Sequence, residues 1–128
     1  MNLRFGLDLV PVAAVADSVV AQGDRYLDRI YTAAERADST GPRGIDPARL
    51  AERFAVKEAT LKVLSRPDEG LDLRSIESLC DEAAGLRVVL HGRAAELATA
   101  DGIEHLRVSV TRDDRLAAAV VAAELRTR

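Results

Sequence analysis

Four charged residues in two short stretches could carry chemistry. GLDLV (6–10) sets Asp8 inside an apolar run, and RFAVKEATLK (53–62) sets Lys57, Glu58 and Lys62 in one helix-forming segment. On a wheel of about 100° per residue with Phe54 at zero, Leu50, Leu61 and Leu64 fall within about 80° and define an apolar stripe. Lys57 at about −60° and Glu58 at about +40° fall inside that stripe, while Val56 and Val63 lie on the far side. A buried, unpaired charge is costly, so such charges are paired, edge-exposed or liganded. Two readings are open. In one, Glu58 and Lys62 form a surface i,i+4 pair and Lys57 extends its ammonium to water. In the other, Asp8 and Glu58 ligate a hard divalent cation beside a phosphate that the lysines neutralise, since Mg²⁺ takes one or two carboxylates plus water and phosphate oxygens.

The elements that must position these residues are legible from periodicity. In LRFGLDLV (3–10), Leu3, Phe5, Leu7 and Leu9 alternate with Arg4, Gly6, Asp8 and Val10, a period-2 strand ended by Pro11. A short helix is expected over 12–20, stopped near Gly23, and a second from Arg25 to about Ala37. DSTGPRGIDP (38–47) is a loop by composition. Asp46 then N-caps a third helix, with Pro47 in its first turn, running to about Leu64. SRPDEG (65–70) makes a turn. Strands follow over 71–79, 86–92 and 106–111, with a short helix at 94–100. RLAAAVVAAEL is ambiguous, because alanine favours helix; the Asp113–Asp114 turn before it and Val120–Val121 point to a strand paired with 106–111. The expected fold is α+β, one domain over 1–128 with an antiparallel sheet packed against helices.

Composition removes several function classes. The 128-residue chain is 48% apolar and 30% charged, which fits a soluble globular domain. With 3% aromatics, no Trp and a net charge of −3, it offers neither a base-stacking platform nor a basic footprint, so no nucleic-acid partner is expected. Cys80 is the only cysteine, which excludes an internal disulfide and a thiolate zinc cage and suits the cytoplasm. Asp8 interrupts the N-terminal apolar run, against a signal peptide, and LAAAVVAA (116–123) is too short to span a membrane. His91 and His105 lack ligand spacing and read as solvated polar residues.

Set together, GLDLV and RFAVKEATLK resemble the two-part signature of holo-[acyl-carrier-protein] synthases, the small 4′-phosphopantetheinyl transferases. The family pattern is a G-[IV]-D strand followed by F-x-x-K-E-[AS]-x-x-K on a helix, matched here by Gly6, Asp8, Phe54, Lys57, Glu58, Ala59 and Lys62, with Leu7 as a conservative variant. YLDRIYTAAE (26–35), LDLRSIE (71–77) and VSVTRDDRLAAAVVAAE (108–124) resemble the family's later segments in the same order. The resemblance implies transfer of the 4′-phosphopantetheine arm of coenzyme A to a serine of an acyl carrier protein, releasing 3′,5′-ADP. It implies Asp8 and Glu58 as Mg²⁺ ligands, and Glu58 and Lys62 as catalytic residues. Arg53, Lys57, Lys62 and Arg112 become the CoA-binding set, and a homotrimer with sites between subunits becomes the assembly.

Three stretches depart from the family pattern. PVAAVADSV (11–19) lacks the usual base that meets an acidic carrier helix, although Arg25 and Arg29 follow. Thr111 is followed by Arg112 where the family has histidine; arginine binds phosphate bidentately but cannot act as a neutral imidazole. SRPDEG holds one glycine and two acids where the family has a glycine-rich loop. These departures leave a second function class open, a non-catalytic paralogue that binds a carrier or CoA without transfer. A specialised carrier as substrate would also account for them.

Overall fold

In the computed structural model of the chain, which describes residues 2–64, 70–83 and 85–127, the first strand is longer than its alternation implied. β1 covers Asn2–Pro11 and passes directly into helix α1, Val12–Gln22. Gly23, at φ 55°, ends α1 in a conformation open chiefly to glycine, and α2 begins at once over Asp24–Ile30. The single helix expected from Arg25 to Ala37 is instead broken. Tyr31 is extended, and Thr32 starts α3 (Ala33–Asp38) with a capping box in which Glu35 and Thr32 bond each other's backbone N–H.

The loop at 38–47 holds a minimal hairpin, β2 (Thr40–Gly41) and β3 (Gly44–Ile45), before α4 spans Pro47–Val63. Asp46 caps α4 as expected, its carboxylate accepting from Ala48 N at 3.0 Å. The turn expected at 65–70 lies, apart from Gly70, outside the described residues. The strand expected over 71–79 starts late: a 3₁₀ turn occupies Leu73–Ser75, capped by Asp72, and β4 runs Ile76–Asp81. Next come β5 (Gly85–Leu90), α5 (Gly92–Asp101), β6 (Ile103–Arg112) and β7 (Leu116–Leu125). The ambiguous alanine-rich segment is thus a strand, antiparallel to β6 with Val121 opposite Val108.

β1, β7 and β6 form an antiparallel sheet in that order, and β4–β5 a separate hairpin. α4 packs across β1 and β7. Small residues make that packing close: Ala51, Ala55 and Ala59 recur every fourth residue on α4, and Ala117, Ala119 and Ala123 alternate along β7, all at most 1% exposed. Gly6 takes the tightest point, since a Cβ there would lie 2.0 Å from the carbonyl oxygen of Ala59. Burial on α4 is nearly all round and includes Val56 and Val63, which the wheel had placed outside the apolar stripe. The wheel erred because α4 is flanked by elements on several sides and has no single buried face. The sheet is the converse. Its Leu3, Phe5, Leu7 and Leu9 face is exposed, while Gly6 and Val10 turn toward α4.

Candidate active site

β1 and α4 cross where Gly6 meets Ala59, and this crossing brings the two sequence stretches together. Asp8 and Glu58 line one cavity of about 450 Å³, with Leu9, Val15, Tyr26 and Phe54 among its other walls. Lys62 Nζ sits 3.1 Å from Asp8 Oδ1 and donates to the carbonyl of Leu7 at 2.6 Å. Arg4, on the same face of β1 as Asp8, fixes the strand further by donating to the carbonyl of Val63 and to Asp101, each at 3.0 Å.

The electrostatics of the cavity is that of two carboxylates with one cation. Partial burial raises the Glu58 carboxyl above its ordinary value; the Asp8 charge raises it further, and Lys62 opposes both. No cluster of three or more His, Cys, Asp or Glu side chains suited to a metal occurs among the described residues. Two carboxylates that repel each other beside open volume still fit Mg²⁺, which completes its shell with water and phosphate oxygens.

The other residues expected here go elsewhere. Lys57 is fully buried on another side of α4, where Nζ donates to Glu35 Oε1 (2.7 Å) and to the carbonyls of Leu73 (2.8 Å) and Ile76 (2.5 Å). Its three donors are spent, so in this arrangement Lys57 cannot contact a CoA phosphate. Burial pulls its ammonium below the usual lysine value, opposed by the Glu35 charge. Glu35 is equally enclosed, with Oε1 also accepting from Thr32 N and Oε2 from the Ser78 N–H and hydroxyl. The charge in the apolar stripe was therefore a buried ion pair, and its partner, missed in the sequence, is the glutamate of a capping box.

Arg53 and Arg112 also lie apart from the Asp8–Glu58 cavity. Arg53 is 6% exposed, its Nε lacks a partner, and it lines a second cavity of about 430 Å³ with Arg49, Cys80 and Val110. Arg112, half-buried at the end of β6, pairs with Glu52 at 3.3 Å and more distantly with Asp46. Tyr26 opens the family-like segment 26–35 but was not placed in the site from the sequence. Its position one residue after Arg25 carried no signal of its place in the cavity wall. His91 contacts Glu77 at 3.0 Å, and His105 is exposed, as expected of solvated histidines.

A carboxylate from a strand, a carboxylate from a helix and a lysine one turn on are the kinds of group that phosphoryl transfer uses. The sequence profile of the 4′-phosphopantetheinyl transferase superfamily matches residues 4–121, and the chain belongs to that family of enzymes. Among curated relatives, it is 39% identical to the holo-[acyl-carrier-protein] synthase of Chloroflexus aggregans over 94% of both chains. It is 40% identical to that of Edwardsiella ictaluri over 95% of this chain and 97% of the relative. The solved acyl carrier protein synthase of Mycobacterium tuberculosis superposes with a TM-score of 0.73 at 30% identity, over 95% of this chain and 96% of that one. A Chronobacterium ammoniagenes complex with CoA shares the fold, with a TM-score of 0.83 at 24% identity over 99% of this chain and all of that one.

Proposed function

We propose that the chain transfers 4′-phosphopantetheine from coenzyme A to a serine of an apo acyl carrier protein in a Mg²⁺-dependent reaction. The observation that carries this reading is the convergence of Asp8 and Glu58 at one cavity, with Lys62 paired to Asp8. Asp8 and Glu58 would hold the cation, which supplies charge neutralisation at the CoA pyrophosphate. In the transfer, the serine oxygen bonds to the phosphorus that bears the pantetheine arm, and the bond to the phosphate of 3′,5′-ADP breaks. Lys62, more than half exposed and tied among the described residues only to Asp8 and a carbonyl, is free to swing onto phosphate once Asp8 is engaged elsewhere. Glu58, the carboxylate on the helix side of the cavity, is assigned to receive the serine proton. Arg53, whose Nε lacks a partner, and the neighbouring Arg49 are assigned to a CoA phosphate, in a cavity that Asp38 and Glu52 also line.

Two further expectations gain support from surfaces. Leu3, Phe5, Leu7, Leu9, Leu116 and Val120 leave one face of the sheet apolar and open, which favours self-association into the trimer. Arg25 and Arg29, exposed one turn apart on α2 and without an ion pair among the described residues, suit an acidic carrier helix in place of the base missing from α1. No helix among the described residues is long and apolar enough to cross a membrane.

The test is incubation with CoA, Mg²⁺ and a panel of apo carrier proteins, read by intact mass for the gain of one arm. Transfer that is lost with chelator and in Glu58→Gln supports the reading. CoA binding by calorimetry without transfer to any carrier would assign the chain instead to the non-catalytic binders.

A further inference from the structure

A free thiol stands at the second cavity, of about 430 Å³, which Asp38, Arg49, Glu52 and Arg53 also line. Cys80 is exposed, one residue before the end of β4. Alternation along the strand puts it on the same side as Ser78, whose hydroxyl donates to Glu35 of α3, so Cys80 is turned toward the helices as well. Leu86, its partner across the β4–β5 hairpin, lines the same cavity. The hairpin is separate from the sheet whose leucine face is open.

The cationic side of this cavity has capacity to spare. Arg53 is 6% exposed, yet its Nε has no partner, and a buried donor left unmade is costly until an acceptor arrives. Arg49 is exposed, donates to the carbonyl of Asp38 at 3.1 Å and stands 3.8 Å from Asp46. Of the two carboxylates in the lining, Glu52 is paired with Arg112 at 3.3 Å, which leaves Asp38 facing two guanidinium groups. A thiol and an anion-accepting wall thus share one opening.

We infer that Cys80 is a thiol-modification site, at which a mixed disulfide with a carboxylate-bearing low-molecular-weight disulfide closes the Arg49–Arg53 cavity to CoA phosphate. The inference rests on the assignment of that cavity under the proposed function and adds its control by thiol chemistry. The exchange needs no other oxidant. The Cys80 thiolate attacks one sulfur of the disulfide, a new S–S bond forms as the old one breaks, and the released thiolate takes up a proton equivalent to the one Cys80 lost.

Glutathione disulfide is the probe, with the gain of one glutathione read by intact mass. Calorimetry then uses 3′,5′-ADP, which has nucleotide phosphates but no thiol to reverse the adduct. Modification is expected to weaken 3′,5′-ADP at least about 10-fold, with dithiothreitol restoring it. Cys80→Ser should gain no glutathione and bind 3′,5′-ADP equally before and after treatment. Arg49→Ala, at an exposed position, should slow the reaction with glutathione disulfide about 3-fold and leave that with the neutral 2-hydroxyethyl disulfide unchanged. Absence of the adduct, an adduct that leaves 3′,5′-ADP binding intact, or equal slowing of both disulfides overturns the inference while the transfer reading stands. Untreated protein that fails to bind 3′,5′-ADP overturns the phosphate assignment and the inference together, and the carrier-protein assay decides the transfer reading separately.

Discussion

Lys57 and Glu58 are adjacent in sequence and opposite in role. Lys57 is enclosed with Glu35, so Lys57→Met leaves a buried carboxylate uncompensated and is expected to cost about 3–5 kcal/mol in denaturant unfolding. Pairing it with Glu35→Gln should recover part of that loss. Residual folded Lys57→Met protein should bind CoA as the wild type does, an outcome that a phosphate-binding Lys57 would not give. Glu58 faces the cavity, where its carboxyl is raised by burial and by Asp8. Its charged form is thus disfavoured in the fold: the group stabilises the protein below its unfolded pKa, and that contribution is lost as pH rises through the raised folded value. Mg²⁺ demands the charged form. Thermal stabilisation by Mg²⁺ should therefore be present at neutral pH and fade on acidification at a higher pH than an ordinary glutamate would set. Asp8→Asn removes the like charge, and carboxyl NMR should then show Glu58 titrating closer to its usual value. Glu58→Gln should lower transfer at least about 100-fold at any pH.

At the scale of elements, the site depends on how closely β1 lies on α4. Gly6 is required there by contact and not by backbone angle, because any side chain would collide with the Ala59 carbonyl. Gly6→Ala is expected to cost about 1–3 kcal/mol by overpacking and to move Asp8 away from Glu58 and Lys62. Transfer should then fall by more than the loss of folded protein explains, with circular dichroism giving the folded fraction. The wheel for 50–64 found the misplaced charges but assigned the valines to the wrong side, since a helix buried on several faces has no single moment to read. The break at Tyr31–Thr32 was visible only as a family-like segment. Its physical signal, Thr32 followed by Glu35 three residues later, is a capping box inside a stretch that also reads as continuous helix.

For the whole molecule, the open apolar face of the sheet is a surface that calls for a partner. Phe5 and Leu7 are 64% and 55% exposed, and a monomer rarely leaves such residues contiguous. Phe5→Glu should convert the proposed trimer to monomer in sedimentation analysis while preserving far-UV circular dichroism. Retention of the wild-type mass would show that this face is not the interface. In the isolated chain, Arg53 and Arg112 stand apart from the Asp8–Glu58 cavity, so a CoA molecule contacting either group would draw on surfaces that one chain does not bring to one place.

The sequence by itself determined the strand that carries Asp8, the Asp46-capped helix that carries Glu58 and Lys62, and the family to which their spacing belongs. These are local: alternation, capping and residue spacing along one segment are written where they act. Only the tertiary structure decided which charges share a site. It buried Lys57 against Glu35, 22 residues earlier, and set Tyr26 in the cavity wall with its hydroxyl against that of Tyr31. It also left the leucine face of β1 open and turned the glycine face inward. Each of these depends on which elements pack together, and a side chain's environment is supplied by segments remote from it in the chain.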